Sequence, residues 1–158
     1  MRIQQEGSGA LSFAFSLHGD LTRIRIPPSA SPQRADELWK HTCFEAFVVT
    51  TGELSYTELN FSPSREWAAY LFTGYRVGMA PLEIEQPRPM RVRSGPYGLE
   101  LHVVVRRVDP PEQDEGARSR IALAAVIEET DGRKSYWSLK HPVDKPDFHH
   151  PEAFALEL

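Results

Sequence analysis

Three clusters in this 158-residue chain hold residue types that could do chemistry. The first is Leu38-Trp39-Lys40-His41, at the end of a Pro/Ser-rich loop. The second is Tyr56, Glu58 and Asn60, alternate positions of the run SYTELNF, which an extended chain points to one face. The third runs from Lys140-His141-Pro142 to Phe148-His149-His150-Pro151. Together they offer flat rings, carboxylates, an amide, an ammonium and imidazoles. A sugar needs that set: a ring stacks on its C–H face, and polar groups satisfy its hydroxyl rim. In this reading Trp39 and Phe148 are the rings, and Lys40, Glu58, Asn60 and His149 line the rim. The competing arrangement has Trp39 plugging the end of a sandwich and Glu58 facing solvent. It is the commoner outcome for such residues, since a fold does not imply a site.

Other chemistries find less support. His41, His141, His149 and His150 lie in these clusters, and His41 and Cys43 sit at i and i+2. No C-x-x-C or H-x-x-x-H spacing accompanies them, so no metal site is expected. Haem b is the alternative cofactor, held by Met79 or Met90 with His149 or His150. Covalent attachment is excluded because no C-x-x-C-H is present. Glu45 and Glu58 on neighbouring strands could face each other as glycosidase carboxylates do, but most carboxylates on adjacent strands could. No G-x-S-x-G elbow occurs, and Cys43 inside a strand has no evident activator. The expectation is a binding module and not an enzyme, with a β-sandwich protein-interaction domain that retains no ligand as a further alternative.

Positioning these residues falls to short strands. ALSFAFSL (10–17) and LTRIRI (21–26) alternate on either side of His18-Gly19-Asp20 and predict a hairpin. CFEAFVVT (43–50) predicts a strand with Phe44, Ala46 and Val48 opposite Cys43, Glu45, Phe47 and Val49. Further strands are expected over 55–61, 66–76, 82–93 (an edge strand, from Pro87 and Pro89), 97–107, 119–129, 135–139 and 154–158. Residues 27–36, 108–117 and 140–152 read as loops. About ten strands with turn signals every 8–12 residues predict an all-β fold, a two-layer antiparallel sandwich of jelly-roll-like form.

Composition agrees. Thirteen prolines argue against long helices, and 41% apolar with 25% charged residues is ordinary for a globular chain. A length of 158 predicts a single domain, 1–158, able to bury roughly 68–70% of its unfolded surface. A net charge of −4 makes nucleic acid a poor partner, and no apolar run is long enough to span a bilayer. One cysteine and the absence of a signal-peptide pattern at the start predict a cytoplasmic protein. The expected partner is a small molecule; oligomeric state is not legible.

The order Trp39, Cys43-Phe44-Glu45-Ala46-Phe47, Glu58-Leu59-Asn60-Phe61, Ser135-Tyr136-Trp137-Ser138, Phe148-His149-His150-Pro151-Glu152-Ala153-Phe154 resembles the DOMON-like superfamily. Within it, the chain is similar to family 9 carbohydrate-binding modules and to small bacterial DOMON-like proteins of unassigned role. Two motifs carry the resemblance: W-x-x-x-x-x-E-x-F early, and aromatic-x-x-Pro-x-x-Phe late. It implies a β-sandwich that binds sugar or haem, covering most of residues 10–158. In sugar-binding members two tryptophans sandwich the ligand; the first matches Trp39 and the second falls on Phe148. A polar-strand amide matches Asn60. Glu58 stands where that family has a basic residue, and Thr42 where it has an acidic one. Haem-binding members use Met with His or Lys.

Overall fold

The computed structural model describes residues 1–6, 9–106, 118–142 and 146–158. Among them eleven strands form two antiparallel sheets, as expected of a β-sandwich. The smaller sheet has the order β1 (Arg2–Gln5), β2 (Leu11–His18), β8 (Gly98–Val105), β7 (Met90–Gly95). The larger sheet runs β10 (Lys134–Ser138), β9 (Ser119–Glu128), β3 (Cys43–Thr50), β4 (Tyr56–Phe61), β5 (Trp67–Phe72), β6 (Ala80–Pro81), and β11 (Leu156–Glu157) also pairs with β9. No helix among the described residues is long and apolar enough to cross a membrane.

Period-two alternation builds the core between the sheets. Phe13 and Phe15 of β2, and Leu99, Leu101, Val103 and Val105 of β8, face Phe44 and Ala46 of β3, Leu59 and Phe61 of β4, and Ile121 and Leu123 of β9. The Phe15 and Phe44 rings stack at 5.1 Å, and those of Phe13 and Phe61 meet at 5.8 Å. Truncating one such buried phenylalanine typically costs about 3–5 kcal/mol.

The larger sheet is covered on its outer face too, so six successive residues of β3 and all of β4 are buried. Phe148, Ala153 and Phe154 lie across Phe47, Tyr56, Ala122 and Ala124 and close a second apolar cluster. Phe47 lies 6.5 Å from Phe148 and 6.4 Å from Phe154, ring centre to ring centre. Leu38 and Trp39 pack against the same cluster from a 3-10 turn, Leu38–Lys40.

Three sequence expectations need correction. Residues 21–26 do not return as a strand beside β2, because β1 and β8 already occupy both of its edges. Leu21–Arg23 forms a 3-10 turn instead, with the Asp20 side chain accepting from the Thr22 N–H at 3.1 Å. The edge strand over 82–93 starts only at Met90, past the two prolines that cannot donate to a ladder. The final strand is Leu156–Glu157, since residues Pro151–Ala153 form another 3-10 turn. The loop read over 108–117 lies outside the described residues.

Candidate functional site

The two covers on the outer face leave a cleft of about 510 Å³ between them. Its floor is a diagonal across the larger sheet: Val126 of β9, Glu45 of β3, Glu58 of β4 and Phe72 of β5. The walls are Trp39 and Lys40 on one side, Phe148 and His149 on another, with Tyr136 and Lys134 of β10 and Arg76 and Met79 beyond β5.

The Trp39 wall is held through β5. Gln33 and Ala35 exchange backbone hydrogen bonds with Trp67, which pins the loop beside that strand. The Tyr70 hydroxyl donates to Asp36 at 2.6 Å, Arg34 lies over the Tyr70 ring, and Trp39 meets the same ring edge-on at 5.5 Å. Burial and the Asp36 carboxylate push the Tyr70 phenol well above its ordinary range, so it stays a donor. Tyr70 is the cross-strand partner of Glu58, which sets Trp39 beside the floor carboxylates.

The opposite wall hangs on Asp147, 7% exposed. Its carboxylate accepts from Arg76 Nη2 at 2.8 Å, from the Tyr75 hydroxyl and from the His149 backbone N–H at 3.2 Å. Burial alone would raise the Asp147 carboxyl, but these donors hold it below the usual range. His149 is thereby fixed over Phe47 and Phe72 at ring distances of 5.0 and 5.2 Å. The Tyr56 hydroxyl accepts from the Arg76 backbone N–H and shares a hydrogen bond with His149 Nδ1 at 2.7 Å. The other ring nitrogen, Nε2, faces Glu58 Oε2 at 3.8 Å. Burial, reinforced by Arg76, depresses the His149 pKa to about 4, so the ring is uncharged at neutral pH.

The floor carries the unusual electrostatics. Glu58 is 5% exposed, and its Oε1 accepts from Asn60 Nδ2 at 2.7 Å. Glu45 is 3% exposed, and its Oε1 has no hydrogen-bond partner among the described residues. Burial pushes both carboxyls up, Glu45 the further because the Glu58 charge acts on it as well. Asn60 directs its carbonyl at the Cys43 thiol, 3.6 Å away. That thiol is fully buried; burial and then Glu45 raise its pKa, which leaves it unreactive.

Of the residues marked out in the sequence, Trp39, Lys40, Glu58, Phe148 and His149 line this one cleft. Asn60 does not: it is 0% exposed and lies behind Glu58, orienting the carboxylate. Glu58 does not face solvent as an outward strand residue would: it lies at the cleft floor, 5% exposed, with His149 Nε2 3.8 Å from its Oε2. Phe148 is 8% exposed and packs on Phe47, Tyr136 and His141, so it offers a ligand an edge of a packed ring and not a free face. Arg76, Tyr136 and Lys134 also line the cleft without having been marked out as site residues; Tyr136 falls in the string Ser135-Tyr136-Trp137-Ser138, and no periodicity or motif signals the other two. Glu45, weighed in the sequence only as a partner of Glu58 and as the Glu of the early motif, is also marked as a carboxylate in the otherwise apolar run CFEAFVV.

The haem candidates do not form an axial pair. Met90 is packed in the core between the sheets, and His150 Nδ1 accepts from the Glu152 N–H at 3.2 Å. His149 lines the cleft with Met79, but its two ring nitrogens are turned to Tyr56 and Glu58. These residues do not fit haem ligation. No group of three or more potential metal ligands is found among the described residues.

The fold has a counterpart among solved structures. A protein from Bacteroides uniformis ATCC 8492, named a "putative carbohydrate-binding protein", shares it with a TM-score of 0.58. The match covers 90% of this chain and 69% of that one at 13% identity. Identity that low carries the likeness of fold alone. No protein-family model matches the chain, and no curated protein does.

Proposed function

We propose that the chain is a non-catalytic module, 1–158, that binds a carbohydrate-like ligand in the outer-face cleft. The observation that carries this reading is the composition of one wall-to-floor path: the half-buried Trp39 ring stands beside two buried carboxylates, with Lys40 at the rim. A pyranose needs that combination, an aromatic face for its C–H surface and acceptors for its hydroxyls. The volume, about 510 Å³, falls in the usual range for small-molecule sites. The Bacteroides uniformis protein's name and the resemblance to DOMON-like carbohydrate-binding modules support the same reading.

The ring pair expected around the sugar is better drawn as Trp39 with Tyr136. Tyr136 is 45% exposed at the cleft, whereas Phe148 is already packed. Isothermal titration against a panel of mono- and disaccharides tests the proposal. Trp39→Ala should lower affinity by about 2 kcal/mol, roughly thirtyfold, as expected of a stacked anchor. Unchanged affinity in Trp39→Ala would place the ligand elsewhere.

A further inference from the structure

The cations and carboxylates of the cleft are unequally matched. Two of the three rim cations already face a carboxylate outside the floor. Lys40 Nζ lies 2.7 Å from Glu37 and Arg76 Nη2 lies 2.8 Å from Asp147, while Lys134 stands across from Glu128 with no ion pair of its own among the described residues. The floor has no such match. Glu45 makes no ion pair among the described residues, and its buried Oε1 lacks even a hydrogen bond. Glu58 receives one N–H from Asn60 and faces an imidazole Nε2 at 3.8 Å, beyond hydrogen-bond reach.

An unpartnered acceptor buried in a packed sheet costs folding free energy unless something else meets it. Here both side chains line the cleft, at 3% and 5% exposure, so a ligand seated on its floor lies against them. We infer that the ligand supplies the missing cation: Glu45 and Glu58 form a receptor for a protonated amine, and the ligand class is an amino sugar in preference to a neutral one. This rests on the carbohydrate reading of the same cleft and adds the charge of the ligand to it. An ammonium donates three N–H bonds, and its charge favours the ionised, acceptor-only form of both carboxyls that burial disfavours. Its N-acetylated counterpart keeps one N–H and loses the charge.

The test is calorimetric titration of the protein with glucosamine, N-acetylglucosamine and glucose near neutral pH. Glucosamine should bind at least about tenfold tighter than either neutral sugar, as a charge-assisted contact in a desolvated site implies. Glu45→Gln and Glu58→Gln should each remove most of that preference, with thermal melts confirming that the variants are folded. Glucose or N-acetylglucosamine binding as tightly as glucosamine overturns the amine inference and leaves the carbohydrate reading standing. A preference that survives both substitutions overturns the assignment to this floor. Binding of none of the three sugars overturns the inference and counts against the carbohydrate reading with it.

Discussion

Replacing Glu45 by glutamine should stabilise the protein at alkaline pH and leave it little changed at acid pH. Glu45 is 3% exposed, with no ion pair and an unpartnered Oε1 among the described residues, and the Glu58 charge acts on it. Its carboxyl is therefore held well above its ordinary value of 4.5 in the folded state. Below that ordinary value the side chain is protonated whether folded or not, and it costs the fold no charge. As pH rises through 4.5 the unfolded chain ionises first, and stability falls until the folded pKa is passed. Glutamine cannot ionise, so the variant escapes this loss. A buried group without its partner costs about 1–3 kcal/mol, and more when charged. In a chain of this length that corresponds to roughly 2–12 °C in melting temperature. Removing the Glu45 charge also relieves Glu58, which acts in the same direction. Calorimetric melts of both proteins between about pH 4 and pH 8 measure the difference. Titration of His149 occurs in both proteins and largely cancels. The pH dependence is the diagnostic, because glutamine's own buried amide adds an offset that does not vary. A constant offset across the range, or a variant less stable at pH 8 than at pH 4 relative to the parent, would refute the reasoning.

Other residues give independent readouts. His149 should titrate near pH 4 by nuclear magnetic resonance. Because the folded pKa lies below the ordinary 6.5, this residue withdraws stability as pH falls from 6.5 through 4, and His149→Gln should flatten that part of the curve. Asn60→Leu keeps the volume but removes the donor to Glu58 Oε1; urea denaturation should show a loss of about 1.5–3 kcal/mol, the worth of a hydrogen bond to a charged group. The loss should be larger above the carboxyl range than below it, since the Asn60 N–H holds the Glu58 carboxyl down.

Alternation made the central strands legible almost to the residue. In β3 and β4 it also sorted the two faces, placing Glu45, Glu58 and Asn60 opposite Phe44, Leu59 and Phe61. What alternation could not show is that the polar face is roofed. Phe148 and Phe154 lie about a hundred positions from Phe47, and local periodicity carries no information on so distant a contact. The same limit explains the hairpin error. Leu21, Ile24 and Ile26 do pack against the core, but which neighbour β2 takes is settled by competition from β1 and β8. Arg2–Gln5 is too short and polar to announce itself as that competitor. Arg76 was invisible for a further reason: it sits outside any strand, with a positive φ of 56°, and only the Asp147 pairing brings it to the cleft.

The packing of the outer face supports the proposed site over a purely structural layer. If residues 146–154 served only to roof the sheet, apolar side chains at positions 45 and 58 would pack it better, as they do at Phe47, Ala122 and Ala124. Two like-charged groups on adjacent strands instead raise each other's cost, and the roof stops short of them, leaving the cleft open where they lie. Asn60 and Cys43 are buried behind them, with the Asn60 amide spent on orienting Glu58. On the reading proposed above, a strand that bears this cost and also orients the costly group is organised around something that approaches from the cleft. A fold stabilised by Glu45→Gln and a cleft that loses its amine preference with the same substitution would be two faces of one trade, stability given up for a binding charge.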